Sequence, residues 1–199
     1  MKFEKLDIKK HSPYKVAELL YETDQSIFNF LYGNKANAAK ILEKLVSLGG
    51  NNLGHENIYV VTQNEMVIGV LLYFGGNHHK FGELKFLFKN LNPVDAFRFL
   101  LIDLKDSLIL SHLNKCDFYL AGVAVDEEFR GQGVGSLLLE EGVNMARKRG
   151  CERVVLDVAL DNPGAKRLYE RIGFKVFNKR SYPWFRGKVG MFNMELNLK

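Results

Sequence analysis

The chain has 199 residues, 47% of them apolar, with 18 glycines and only four prolines. That length and composition exclude an extensively disordered chain and leave room for one well-buried core, so a single domain over residues 1–199 is the expectation. The 28 basic and 23 acidic residues give a formal charge of +5 that is mixed rather than concentrated, which is weak ground for a polyanionic partner.

The first strand is predicted in FEKLDI, where Phe3, Leu6 and Ile8 roughly keep strand periodicity. From Pro13 to Glu22 the pattern turns helical, with Val16, Leu19 and Leu20 on one stripe and Pro13 in the first turn. TDQSIFNFLYGN reads as a loop or irregular helical turn rich in aromatics, and KANAAKILEKLVSL as a second helix ended by Gly49 and Gly50. NIYVVTQ and MVIGVLLYF bracket Asn64 and Glu65 as a two-stranded hairpin.

Residues 83–114 carry enough apolar positions for a helix or a broken pair of helices, with Asn92 and Pro93 marking a start. CDFYLAGVAV is a central-strand candidate because its apolar run is nearly continuous. GVGSLLLEEGVNMARKRG is a helix, with Arg147 to Arg149 suiting its C-terminal dipole, and RVVLDVA is another buried strand. NPGAKRLYERIGF is a short helix in which Asn162 caps, Pro163 fills the first turn and Gly173 closes. KVFNKR and GMFNMELNL are final strands joined by SYPWFRGK. Strand, helix, strand, helix, strand implies at least one parallel pair, and the terminal hairpin implies antiparallel pairing, so a mixed α/β sheet with helices on its faces is predicted.

Other function classes find little support. The N-terminal stretch MKFEKLDIKKHSPYK lacks the apolar run of a secretory leader, and FLLIDLKDSLIL is broken by Asp103, Lys105 and Asp106, so no membrane partner is predicted. Cys116 and Cys151 lie far apart in the sequence and have neither metal nor redox spacing, which points to reduced thiols and a cytoplasmic setting. The histidines show no metal-ligand spacing, and no metal is expected. The one dense basic stretch, KVFNKRSYPWFRGK, interleaves Lys175, Lys179, Arg180, Arg186 and Lys188 with aromatics, and a solvated strand and loop would look the same as a nucleic-acid surface.

The densest chemical signal is DEEFRGQGVGSLLLEEG. Gly131, Gly133 and Gly135 strip side chains from a loop that runs into a helix, so backbone N–H groups and the positive dipole end converge where an anion would fit. A mononucleotide loop would need a Lys-Ser/Thr pair after its glycines, and a dinucleotide loop would need G-x-G-x-x-G directly after a strand; neither stands here. A helix start whose glycines serve tight packing remains open on local pattern alone.

VAVDEEFRGQGVGSLLL followed by DNPGAKRLYERIGF resembles the GCN5-related N-acetyltransferase (GNAT) superfamily. The pyrophosphate motif of that family, Gln or Arg, two residues, Gly, one residue, then Gly or Ala, falls on Arg130, Gly133 and Gly135, with Gly131 and Gln132 also typical. Its second signature falls on Asn162, Leu168, Tyr169, Glu170, Gly173 and Phe174. The resemblance covers residues 117–178 well and the rest in outline.

The resemblance implies a mostly antiparallel mixed sheet with one splayed parallel strand pair that holds acetyl-CoA, here carrying a helical insertion near residues 83–114. It implies an N-acetyltransferase that moves acetyl to a primary amine of a protein, peptide or small molecule by direct attack through a tetrahedral intermediate. A non-catalytic acyl-CoA-binding or nucleic-acid-binding module on the same fold is the alternative, and the chain would act as a monomer or homodimer. By the same resemblance, Val123 and Val125 present backbone groups to the pantetheine arm. The amides of Arg130, Gly131, Gln132, Gly133, Val134, Gly135 and Ser136 cradle the pyrophosphate. Asp126, Glu127 and Glu128 then point away, toward solvent or the acceptor.

Amide formation needs a neutral amine, a donor for the oxyanion and a proton for the thiolate. A free lysine amine is protonated about 99.9% of the time at pH 7, so a proton must be removed. The resemblance makes Tyr169 the acid for the thiolate and the Val125 amide the oxyanion donor; on pattern alone, Tyr169 reads as a core tyrosine with a satisfied hydroxyl. Glu127, Asp157 and Glu65 are the carboxylate candidates for base, His78 and His79 follow a strand end, and His55 and His112 have less to recommend them. Asn162 is read both as a helix cap and as a pantetheine contact. Acceptor specificity is expected from ETDQSIFNFLYGN, through Glu22, Asp24, Phe28, Phe30 and Tyr32, and from KRSYPWFRGK, through Tyr182, Trp184 and Phe185.

Overall fold

The computed structural model describes residues 1–75, 86, 89–184 and 187–199. Its strands β1 (Lys2–Lys5), β2 (Ile58–Gln63), β3 (Met66–Gly75), β4 (Asp117–Val125), β5 (Arg153–Ala159), β6 (Lys175–Trp184) and β7 (Gly187–Asn197) form one seven-stranded sheet. The order is β1-β2-β3-β4-β5-β7-β6, antiparallel throughout except between β4 and β5. The helices are α1 (Pro13–Tyr21), α2 (Gln25–Tyr32), α3 (Lys35–Leu48), α4 (Pro93–Ile109), α5 (Val134–Lys148) and α6 (Pro163–Ile172). The mixed sheet with one parallel pair is the architecture expected from the sequence.

Helices cover both faces, which is why the central strands are apolar almost without interruption. On one face Val16, Leu20, Ile27, Leu31 and Leu42 of α1–α3 pack against Ile58, Val60, Val70 and Leu72. On the other, Val134, Leu138, Leu139 and Val143 of α5 and Tyr169 of α6 pack against Ile68, Leu71, Phe118, Leu120 and Leu156. The β2–β3 hairpin turns on Asn64 and Glu65, with φ of 50° and 66°, the left-handed pair that a tight two-residue hairpin demands.

Three expectations are corrected and a fourth is met. The first strand ends at Lys5 rather than Ile8, because the Asp7 carbonyl accepts from the amides of Lys10 and His11 and turns the chain into α1. The segment read as a loop or irregular helical turn forms the regular helix α2, started by the Asp24 carboxylate on the Ile27 amide and held by its buried Ile27, Phe28, Leu31 and Tyr32. SYPWFRGK is not a free connection: β6 runs on to Trp184 and β7 starts at Gly187, with Pro183 tolerated on the sheet's edge strand. Within residues 83–114 a helix does start where Asn92 and Pro93 marked it: α4 is begun by Asn92, whose side-chain oxygen accepts from the Asp95 amide at 2.9 Å.

α4 reaches across one face of the molecule. Near its start Ala96 packs with Leu45 of α3 and Arg98 lies 5.0 Å over the Tyr32 ring. Just beyond its end, Ser111 donates through amide and hydroxyl to Asp157 on β5, at 3.0 and 2.7 Å, and the Leu110 carbonyl accepts from Arg180 on β6. Among the described residues no helix is long and apolar enough to cross a membrane.

Leu138 has no solvent exposure and packs where α5 crosses Gly69 of β3. Leu138→Ala is expected to lower unfolding free energy by about 2–5 kcal/mol, read as a lower urea midpoint with an unchanged slope.

Candidate active site

The parallel ladder between β4 and β5 is short. It pairs Asp117–Leu120 with Arg153–Leu156 and stops. Beyond that point β4 continues to Val125 along β3, while β5 continues to Ala159 along β7, so the two strands diverge. The divergence begins at a bulge: Leu120 pairs with Tyr73 and Gly122 with Leu72, leaving Ala121 as an extra residue in β4. The bulge also resets the phase of the strand. Phe118 and Leu120 face α5 before it, Val123 and Val125 face the same way after it, and Ala124 faces α1.

At the end of β4 the chain enters a short 3-10 turn, Glu127–Phe129, and then the glycine loop. Ser12, Asp24, Asn34, Asn92 and Asn162 cap α1, α2, α3, α4 and α6 through side-chain oxygens, whereas Gly133 gives α5 no side-chain cap. The first-turn amides of α5 are therefore offered outward with the positive end of the helix dipole. Gly131 and Gly133 have φ of 75° and 84°, and a Cβ on either would meet no atom within 4 Å. Their absent side chains thus serve backbone conformation and access rather than packing. Gly135 does the opposite: a Cβ there would lie 3.2 Å from Leu168 and 3.8 Å from Val125, so the start of α5, α6 and the end of β4 meet at one point.

Tyr169 of α6 lies in the core cluster that also holds Val123 and Val125. It is buried against Phe174, with ring centroids 6.2 Å apart, and burial pushes its hydroxyl pKa up to about 12. Among the described residues no hydrogen bond is made by that hydroxyl. Asn162 is exposed, and its side-chain oxygen accepts from the Ala165 amide at 3.0 Å, as a cap does.

Arg130 is half-exposed and turned back on β4, its Nε donating to the Val125 carbonyl at 3.1 Å and its guanidinium 3.8 Å from Glu22 of α1. Gln132 donates to the Glu128 carbonyl. Asp126, Glu127 and Glu128 lie on the α1 side of the loop, with Asp126 paired to Lys15 and held below the usual carboxylate range chiefly by that contact. They line a cleft of about 310 Å³ with Lys15, Glu18, Leu19, Glu22, Lys35 and Val125. The cleft and the glycine loop thus meet at the end of β4.

Not every candidate lies there. Asp157 accepts from the Ser111 amide and hydroxyl, Tyr119 and Asn193, and so ties α4 and three strands together. Glu65 sits on the hairpin tip, His55 contacts the Val46 carbonyl, and His78, His79 and Phe185 lie outside the described residues. Lys179 lies over the Phe192 ring and Arg180 binds the Leu110 carbonyl, so two cations of the basic stretch serve internal contacts. The reading by sequence missed Lys15, Glu18 and Lys35; the signal was the spacing of Lys15, Glu18, Leu19 and Glu22 along one face of α1. Among the described residues no group of three His, Cys, Asp or Glu is placed to hold a metal.

The fold is shared with solved structures, and part of the chain is similar in sequence to known proteins. The chain is 36% identical over 74 residues to N-alpha-acetyltransferase 30 of Schizosaccharomyces pombe, a match spanning 37% of this chain and 49% of that protein. An N-acetyltransferase structure from Staphylococcus aureus Mu50 superposes with a TM-score of 0.69 at 16% identity, covering 97% of this chain and all of that one. The NatC complex bound to Gag peptide and CoA gives 0.57 at 16% identity, covering 100% of this chain and 98% of that chain. Residues 99–174 match the acetyltransferase (GNAT) family model, and the chain spans about half the length or less of the curated relatives it matches.

Proposed function

We propose that the protein is an acetyl-CoA-dependent N-acetyltransferase acting on a primary amine. The observation that carries this reading is the uncapped start of α5 beside diverging strands, with glycines whose missing side chains leave open space. The fit to a diphosphate rests on that donor set: consecutive amides from Arg130 to Ser136 at a helix N-terminus suit two phosphates, and no carboxylate of the 126–128 run is needed there. Val123 and Val125, on the strand edge freed by the divergence, hold the pantetheine arm by their backbone groups, with Asn162 across from them. The coenzyme, when bound, supplies the thioester carbonyl that the amine attacks.

The residues of the chain then divide the work. The Val125 amide donates to the oxygen on which charge develops. The Tyr169 phenol, kept protonated by burial and free of a protein partner, gives its proton to the departing thiolate. Glu127, exposed on the cleft wall, takes the proton from the amine directly or through water. The cleft carries five carboxylates, Glu18, Glu22, Asp126, Glu127 and Glu128, against Lys15, Lys35 and Arg130, which favours a cationic amine over an anionic acceptor. A protein or peptide amine is favoured by the likeness to N-alpha-acetyltransferases. We place the reaction in the cytoplasm, consistent with two free cysteines.

Acetyl-CoA incubated with a panel of peptides and small amines is expected to release free thiol only when an acceptor is present. Saturable coenzyme binding with no acceptor-dependent release would instead mark a binding module. Tyr169→Phe is expected to lower kcat on the order of 10²-fold while leaving coenzyme affinity unchanged. Because the phenol titrates only near pH 12, activity should show no alkaline fall from this group below about pH 10. Asn162→Ala separates the two roles of that residue. Loss of the cap lowers stability by about 1 kcal/mol without ligand, and loss of a pantetheine contact additionally raises the coenzyme KM.

A further inference from the structure

The residues that join α1 to α2 divide three tasks. Glu22 closes α1, its amide donating to the Leu19 carbonyl, and Asp24 opens α2. Thr23, between them, rests on the sheet. It meets β4 at the buried Gly122, which follows the bulge and pairs with Leu72. A Cβ on Gly122 would lie 3.2 Å from Thr23 Cγ2, 3.6 Å from Leu72 Cβ and 3.8 Å from Thr23 Cβ. Carbon atoms pack at ease about 3.5–4.0 Å apart, so the Thr23 methyl fills the space that a side chain would need. Gly122 is not among the glycines with positive φ, so the close approach of the turn, and not the backbone conformation, requires glycine here. Thr23 is otherwise exposed, yet it is held in place. Its Oγ1 donates to the Leu20 carbonyl at 2.6 Å and its amide to the same carbonyl at 3.1 Å, which fixes the side-chain rotamer and the turn together. The adjoining Glu22 carboxylate lines the cleft, with Lys35 Nζ at 3.0 Å and the Arg130 guanidinium at 3.8 Å. Val125, farther along β4, lines the same cleft. One methyl on one glycine thus sets how far Glu22 stands from the end of β4.

We propose that Gly122 and Thr23 are positioning residues for the acceptor: their contact seats the α1–α2 turn on β4 and holds Glu22 where it receives a positive charge of the incoming amine. The inference rests on the transferase reading and adds to it the residues that set the reach between the acceptor's charge and the reacting carbonyl. Glu22 acts on the bound amine before and during the reaction alike, so lifting the turn weakens acceptor binding more than it slows the chemical step. The coenzyme is spared. Val123 and Val125 face α5, whereas Gly122, in step with Ala124, presents the opposite face of β4 to Thr23.

Thiol release from acetyl-CoA is measured with two acceptor probes, a tetrapeptide amide with a free N-terminus and the diamine putrescine, alongside urea unfolding. Gly122→Ala is expected to raise the acceptor KM about tenfold, with kcat within about twofold and the coenzyme KM unchanged. Thr23→Ser removes the methyl and keeps the hydroxyl that bonds the Leu20 carbonyl. Added to Gly122→Ala, it should recover most of the lost acceptor KM and of the lost urea midpoint, a coupling that two unrelated defects would not show. Glu22→Gln, which leaves the seat intact, should raise the acceptor KM by a like factor and keeps the test available if Gly122→Ala does not fold alone. An acceptor KM unmoved by Gly122→Ala or by Glu22→Gln, a defect that Thr23→Ser does not repair, or a coenzyme KM that rises in parallel would each overturn the proposal. Thiol release with neither probe, from a protein that binds the coenzyme, would instead sink the transferase reading for such amines and this inference with it.

Discussion

Four residue pairs hold β4 to β5, and the site follows from the fact that a fifth does not form. A parallel pair buried between helices gains by extending its ladder, since every unpaired backbone group in the interior is costly. The chain forgoes that gain by inserting Ala121 into β4, which keeps β3 satisfied while turning the strand off β5. The freed edges lie next to the uncapped start of α5, so two sets of unpaired backbone donors share one small volume. The other α-helices whose starts are described begin on Ser, Asp or Asn; at α5 the same need is left for a ligand to meet.

Rigidity around the opening comes from both ends. At the closed end Arg153 clamps the buried Asp117 carboxylate and also bonds Glu195 of β7. At the throat Asp157 gathers Ser111, Tyr119 and Asn193, which docks the segment after α4 on the sheet. A carboxylate with that many donors is better suited to holding the walls in place than to cycling a proton. Arg130 adds a third tie: its contacts with the Val125 carbonyl and Glu22 connect the glycine loop to the acceptor-side helix, so the two halves of the site share a residue.

Much of this was legible because it rests on local chemistry. Asn162, Pro163 and Gly173 frame α6 as their capping preferences require, and Gly131 and Gly133 announce the positive φ that they adopt. What was not legible depends on partners distant in sequence. No local pattern in LAGVAV marks Ala121 as the bulge, since an all-apolar run hides a change of phase. α2 looked irregular because its aromatics obscure a stripe that only packing against α1 and α3 defines. The roles of Asp157 and of Lys15 with Glu18 depend on neighbours supplied by α4 and by the end of β4.

The central claim is that the bare amides after β4 form the seat of the coenzyme diphosphate. Titration of isotope-labelled protein with coenzyme A, followed by backbone amide shifts, tests it most directly. The account predicts saturable changes concentrated at Gly131, Gln132, Gly133, Val134, Gly135 and Ser136, with Val123 and Val125 following. Saturable binding that left those amides unmoved, or no saturation at all in the folded protein, would contradict it.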